Sequence, residues 1–370
     1  MKSSAMQPKG ALQKNHSETL KNSTVVNLPN TTRKMRNNKF GNIVVLGDSF
    51  VNIPHRFFDP LKTCFTTFTK VSDAPGYISP NPEQTAIEGV SVSKAGKWRD
   101  IRVKGLSTVA QRDEDGGFGA DAAESHGEHK ALVTYKVESE NATHQMILRS
   151  YPRGGKILYR SKISRGKIHT RGPEGLIFHN IGNVGQTVTL TNIGHVSHYG
   201  HVVTNTDGWV FHKLGNSGAK VKRYLDMPKG VFSAHMLNLN PDLVIIVLGT
   251  NDNVDARTTV EDYKRNMETL VSSIKDLLPN TDILLFGSNA NAAATAETSI
   301  EAYNQALFEI ALKNSFSFFD SRPHFGTHAE GTAAGLIADE AGHPTPAGGE
   351  LNGQLLCENV FKPLKSTSLF

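Results

Sequence analysis

From Leu243 onward, apolar and polar positions switch between two periods. Leu243 to Leu248 is an unbroken apolar run, the pattern of a strand covered on both faces. Thr258 with Glu261 three residues later forms a capping-box signature. Val260, Tyr263, Met267, Leu270, Val271, Ile274 and Leu277 then recur at helical spacing until Pro279. Ile283 to Gly287 reads as a second buried strand, Thr298 with Glu301 opens a helix running to about Lys313, and Phe316 to Phe319 reads as a third strand. Buried strands alternating with amphipathic helices predict a parallel sheet in a three-layer α/β/α arrangement.

Residues from about 70 to 210 lack that rhythm. Ala131 to Val137, Gln145 to Ser150, Lys156 to Tyr159 and Thr187 to Leu190 are short, rich in β-favouring residues and divided by Gly, Pro and Asn. This stretch lies between the strand at Ile43 to Leu46 and the strand near Trp209 to His212. The pattern therefore predicts an all-β sandwich inserted into the α/β domain. Three parts follow: a leader at 1–40, an α/β domain at 41–69 and 208–370, and an all-β insert at 70–207.

Charge sharpens the first boundary. The chain of 370 residues has a net charge of +5. Residues 1 to 40 hold eight Lys/Arg and one acid, net +7, while the rest holds 32 basic and 34 acidic residues, net −2. A polar, basic leader of this kind is expected to be flexible and to dock on an acidic partner or a larger assembly. With the excess confined there and no recognition motif beside it, a nucleic-acid protein is not indicated. No apolar run approaches the roughly 18 residues of a membrane span, and the N-terminus lacks the apolar core of a signal peptide. Two cysteines, Cys64 and Cys357, make no framework or metal motif but leave one bridge open.

Four blocks carry candidate chemistry. Gly47-Asp48-Ser49-Phe50 follows the first strand; Gly215-Asn216-Ser217-Gly218-Ala219 follows the strand near His212; Gly249-Thr250-Asn251-Asp252 follows Leu248; His343 opens His-Pro-Thr-Pro near the C-terminus. Alone, each is an ordinary turn or helix cap. Together, three of them sit at carboxyl ends of strands, where an open parallel sheet forms its ligand crevice. A serine hydroxyl needs a base and oxyanion donors to act as a nucleophile, and these blocks contain both. Gly-x-Ser-x-Gly is absent around Ser49, which excludes the α/β-hydrolase elbow.

In these four blocks, over about residues 41–65 and 208–360, the chain resembles the SGNH (GDSL) hydrolases. The resemblance implies a flavodoxin-like fold, with Ser49 as nucleophile, His343 as base, and an oxyanion hole from the N–H groups of Ser49 and Gly218 with the Asn251 amide. Such relatives place an Asp three residues before the His. Here position 340 is Glu and Asp339 lies four before, so spacing selects Glu340 and residue type selects Asp339. No cofactor or metal is implied. The insert is similar to the jelly-roll-like β-domains of enzymes that remove acetyl groups from polysaccharide, so the insert is expected to bind carbohydrate and an O-acetylesterase acting on acetylated glycan is expected. A short-chain lipase or thioesterase, and an inactive glycan-binding module, are the alternatives. A basic leader without a signal also looks similar to bacteriophage tail esterases, which implies docking on a virion tail, extracellular action and homo-oligomers.

Three other features compete. His195, His198 and His201 recur every third residue, a spacing that on a strand does not share a face and so argues against a metal. Gly117-Phe-Gly119 follows the acidic run 113–115 instead of a strand, so it reads as an exposed loop and not a dinucleotide fingerprint. Trp98, Trp209, Tyr151 and Tyr159 are candidates for a sugar-stacking platform or for buried core.

Overall fold

A computed structural model describes residues 24–81, 86–102, 119–228, 230–292 and 299–366. Thr298, the acidic run 113–115 and Gly117 lie outside the described residues.

The α/β part is built on one six-stranded sheet. In spatial order its strands are Thr24–Val25, Ser317–Asp320, Asp282–Gly287, Leu243–Val247, Asn42–Gly47 and Val210–Gly215. All neighbours run parallel except the short first strand, which pairs antiparallel with Ser317–Asp320. Alternation along each strand divides the core in two. Val44, Leu46, Val244, Ile246, Ile283 and Leu285 pack on one face against the helices Val231–Leu239, Val260–Leu277 and Ile300–Asn314. Ile43, Val45, Leu243, Ile245, Leu284 and Phe286 pack on the other against Pro29–Arg36, Phe58–Thr66 and Pro346–Leu356. The continuous apolar runs are thus explained by burial on both sides, and the fold is a three-layer α/β/α sandwich.

Two boundaries differ from the sequence reading. The long helix is capped by Thr259, whose hydroxyl accepts from the Asp262 N–H at 3.1 Å, one residue beyond the Thr258–Glu261 signature. The other difference lies in the leader, where residues 24–36 supply a strand and a helix of the α/β unit. Leu28 and Met35 are buried in the second core, the carboxylate of Asp282 accepts from the N–H groups of Asn30 and Thr31, and Lys34 pairs with Asp242 at 2.7 Å. Charge counting could not register those two apolar anchors. A Cys64–Cys357 disulfide, with Cα atoms 5.6 Å apart, staples Phe58–Thr66 to the C-terminal helical segment.

The insert consists of two antiparallel sheets, in the orders Arg165–His169, Lys156–Arg160, Thr187–Ile193, Leu132–Val137, Val90–Ala95 and Gly175–Asn183, Thr143–Ser150, Val196–Thr204, Ala123–Gly127, Trp98–Arg102. A third core, with Val133, Tyr135, Met146, Leu148, Val188 and Leu190, fills the space between them. The chain enters and leaves this region side by side: Ser72 N–H donates to the Trp209 carbonyl and Trp209 N–H to that of Lys70, both at 2.9 Å. Outer-face residues of the second sheet, Ile147, Tyr199 and Val202, join Val44, Leu46 and Leu214 in one cluster. Insert and α/β unit therefore share a core.

The histidine triplet needs a correction of its physical argument. A register shift between His198 and Gly200 places His198 opposite Leu148 and His201 opposite Met146, so both point inward despite the period of three. His201 meets His144, Nε2 to Nδ1, at 2.9 Å, while His195 stays exposed outside the strand. Among the described residues no group of three or more His, Cys, Asp or Glu is arranged to hold a metal. Of the aromatic candidates, Trp209 is fully buried against Phe65 in the α/β core, and Trp98 is half-buried with its N–H donating to the Ala95 and Leu132 carbonyls.

Candidate active site

Three adjacent strands, Leu243–Val247, Asn42–Gly47 and Val210–Gly215, end in register, and each delivers one motif to the same edge of the sheet. After Gly47 the chain turns at Asp48, whose side chain accepts from the Phe50 N–H at 2.9 Å and caps the short helix Ser49–Asn52. That cap places Ser49 at the first helical position, where its N–H has no helical partner. Gly215 permits the close approach on the other side: a Cβ there would lie 2.4 Å from the Asn52 nitrogen. Gly218 sits at φ +82°, the left-handed region, in the turn that follows.

The C-terminal block completes the set. Ser49 Oγ lies 2.6 Å from His343 Nε2, and His343 Nδ1 lies 2.7 Å from Asp339 Oδ2. The other carboxylate oxygen of Asp339 accepts from the backbone N–H groups of Ala341 at 3.1 Å and His343 at 3.2 Å. The loop Asp339 to His343 therefore closes on its own carboxylate, with Gly342 at φ +78° making the turn. The extra residue in this loop lets an Asp four positions back meet the ring. Glu340 contributes its backbone carbonyl, to the Ala292 N–H at 2.8 Å.

Asn251 reaches the same place. Its amide donates to Asp48 Oδ2 at 2.8 Å and to the Ala219 carbonyl at 3.2 Å. Among the described residues, neither the Ser49 nor the Gly218 N–H donates to a protein acceptor. Burial pushes the Asp48 carboxyl up to about 7, against the donors from Phe50 and Asn251, and burial pushes Asp252 up to about 7 as well. The His343 imidazole is held below its ordinary value, chiefly by burial and by the positive charge of Arg56, with Asp339 opposing. Asp339 lies below the usual carboxylate range: burial works against this, and the His343 hydrogen bond and Arg56 outweigh it.

Asn52 and Lys213 gave no motif signal, and Phe50 stood in the first block without a role. Phe50 packs its ring 5.6 Å from that of His343. Asn52 donates to Ser217 Oγ at 2.9 Å and so joins the Ser49 turn to the Gly218 turn. Lys213, 3 % exposed, donates to the carbonyls of Asn52 and Ala86, both at 2.9 Å. A lysine beside His212 in a strand that otherwise reads Val, Phe, Leu and Gly was the available hint, since a buried ammonium needs partners.

A parallel three-layer sheet with Ser, Gly, Asn and His converging at the carboxyl ends of its strands is the arrangement of an ester-hydrolysing enzyme. Residues 185–351 match the sequence profile of the GDSL-like Lipase/Acylhydrolase family; the matched segment carries Gly218, Asn251, Asp339 and His343, and Ser49 lies before it. A solved peptidoglycan O-acetylesterase is similar over 92% of this chain and 95% of its own, at 15% identity and a TM-score of 0.74, which shows the same fold with the insert included. A GDSL-like lipase from Parabacteroides merdae is similar over 42% of this chain and 73% of its own, at 21% identity and a TM-score of 0.36. A family two carbohydrate esterase from Clostridium thermocellum covers 74% and 98%, at 10% identity and 0.33. No curated protein matches.

Proposed function

We propose that this esterase removes acetyl groups from an acetylated polysaccharide by acyl transfer to Ser49. The observation that carries the reading is the continuous chain from Ser49 Oγ to His343 Nε2 at 2.6 Å and from His343 Nδ1 to Asp339 at 2.7 Å. His343 takes the hydroxyl proton as Oγ attacks the ester carbonyl. The oxyanion is met by the N–H groups of Ser49 and Gly218, and by Asn251 once its longer bond to the Ala219 carbonyl gives way. The sugar hydroxyl leaves with the proton from His343. Water, activated by the same ring, then releases acetate.

Acetyl as the acyl group and glycan as the alcohol are supported by the architecture shared with the peptidoglycan O-acetylesterase, insert included. A cavity of about 750 Å³ between Phe58–Thr66 and Pro346–Leu356 has neither Ser49 nor His343 in its wall, so it lends no support to the alternative of a longer acyl chain. Nitrophenyl esters of increasing chain length separate the two. Turnover should be highest on acetate and vanish in Ser49→Ala; a rate that climbs with chain length would favour the lipase reading, and an active Ser49→Ala would end the acyl-transfer mechanism.

A further inference from the structure

The first sheet of the insert turns its inner face to the sandwich core and leaves its outer face to solvent. The outward positions of its five strands hold Lys136, Lys156, Arg160, Arg165, Lys167 and His169, and no Asp or Glu. Glu138, just past the end of one strand, stands at the rim. Among the described residues, none of the five Lys and Arg side chains pairs with a carboxylate. Two of the cations are also set against each other, Arg165 lying directly across from Arg160. Like charges facing each other across a ladder are unfavourable unless an anion lies between them. A chain with net −2 outside its first 40 residues has gathered one sign of charge on one flat surface.

The remaining outward positions say what kind of anion fits. Thr187, Thr189, Thr191 and Thr134 run across the middle strands, with Ser91 and Ser93 on the edge strand, so the cations are interleaved with hydroxyl donors and acceptors. Arg165 stands about 5–7 Å from Arg160 across the ladder and from Lys167 along its own strand, while Lys136 is flanked by Thr187 and Ser91. No aromatic side chain occupies an outward position, so the face offers no platform on which nucleic-acid bases could stack. The outward Leu132 and Leu158 lie in one row with Thr191 between them and form no protruding apolar tip.

We propose that this sheet face binds an anionic polysaccharide, one whose sugars carry carboxylate or phosphate groups, and holds it on the insert. The five Lys and Arg side chains neutralise the polymer's charges, and the threonines and serines hydrogen-bond its hydroxyls. The link to catalysis, an acetylated acidic glycan as the substrate, rests on the esterase reading above. The binding itself does not.

The test uses the full chain, immobilised polygalacturonate and the same polymer methyl-esterified, at 50 to 300 mM NaCl. Binding to polygalacturonate should be at least ~10-fold tighter than to the ester and should weaken linearly in log salt. Arg160→Glu/Lys167→Glu should weaken it at least ~10-fold, and the milder Arg160→Gln/Lys167→Gln by a smaller factor, with nitrophenyl acetate turnover unchanged in both. Equal binding to charged and esterified polymer, or wild-type binding by both variants, overturns the proposal. So does equal or tighter binding to an oligothymidylate or to vesicles of phosphatidylcholine with phosphatidylglycerol. Active Ser49→Ala would refute the catalytic reading and leave these binding results standing.

Discussion

Replacing Asp339 by Asn should damage this enzyme more than replacing it by Ala. Oδ1 of Asp339 is committed to the backbone N–H groups of Ala341 and His343, and Oδ2 faces His343 Nδ1. An asparagine at this position keeps its carbonyl oxygen on the two N–H groups, because an NH₂ there would face two donors. Its NH₂ then points at Nδ1, which must become an acceptor. The ring proton moves to Nε2, the atom that has to take the proton from Ser49. Wrong-tautomer enzymes of this type lose about 10⁴ in turnover. Asp339 is 45 % exposed at its side chain, so some ring reorientation is open to it, and a loss of about 10³–10⁴, roughly 4–5.5 kcal/mol of barrier, is expected. Asp339→Ala leaves a gap that water can enter, the Nδ1–H tautomer survives, and the loss should be nearer ~10². Glu340→Gln should stay within a few-fold of wild type. Steady-state turnover of nitrophenyl acetate, normalised by titrating active sites with a fluorophosphonate, reads all three. Asn equal to or better than Ala, or a Glu340→Gln loss as large as either, refutes the tautomer argument.

Asn251→Ala should lower kcat by about 10²–10³ with little change in KM, as removal of an oxyanion donor does, and a KM effect alone would make Asn251 a ground-state contact. Acid should act in opposite directions on the two halves. Burial holds His144 down to about 4 and His198 to about 3, so the unfolded chain takes up protons below its ordinary value of about 6.5 while the insert does not. Each costs roughly 2 kcal/mol of stability at pH 5. Asp48 and Asp252, raised to about 7, bind protons in the folded state first and stabilise it as pH falls from 7. Hydrogen exchange at pH 7 and pH 5, corrected for intrinsic rates, should show the Val196–Thr204 strand loosening and the Ser49 turn tightening; uniform change across both would contradict this. Removing the Cys64–Cys357 bridge should cost about 2–5 kcal/mol, seen as a lower melting temperature of Cys64→Ser/Cys357→Ser, and unchanged melting would place the two segments together without it.

Strand and helix placement in the α/β part was legible because its strands are buried on both faces and its long helix has a clean amphipathic stripe. The parallel sheet that the patterns implied brings Gly47 and Gly215 to one edge, with Gly249 two residues beyond Val247 beside them. What patterns could not give were contacts set by single side chains. The choice between Asp339 and Glu340 as partner of the ring depends on how a five-residue loop folds on its own carboxylate. The inward aim of both His198 and His201 depends on one bulge. The leader's docking depends on Leu28 and Met35, two apolar residues among many charges. Net charge was the most misleading summary: a total of −2 outside the leader hid a sheet face on which every charged outward position is basic or His169.

The insert is coupled to the site through more than a pair of crossing strands. Lys213 stands in the edge strand next to the nucleophile strand and donates to two carbonyls, Asn52 at the end of the Ser49 turn and Ala86 in the insert. Asn52 in turn holds Ser217, beside the Gly218 N–H. Removing the ammonium leaves the buried Asn52 carbonyl without that donor, at about 1–3 kcal/mol, while the Ala86 carbonyl, on an exposed residue, can turn to water. The loss would fall on the spacing between nucleophile and oxyanion donor, where about 1 Å of misplacement can cost ~10² in rate. Excising residues 70–207 would remove the Ala86 carbonyl and strip Tyr77, Ile147, Tyr199 and Val202 from the core they share with Val44, Leu46 and Leu214. Catalysis on a small acetate ester should therefore suffer from excision even though the bond of Ser49 Oγ is to His343 of the α/β unit. A trimmed enzyme with full turnover on nitrophenyl acetate would show instead that the α/β unit sets its own site and that the insert serves the polymer alone.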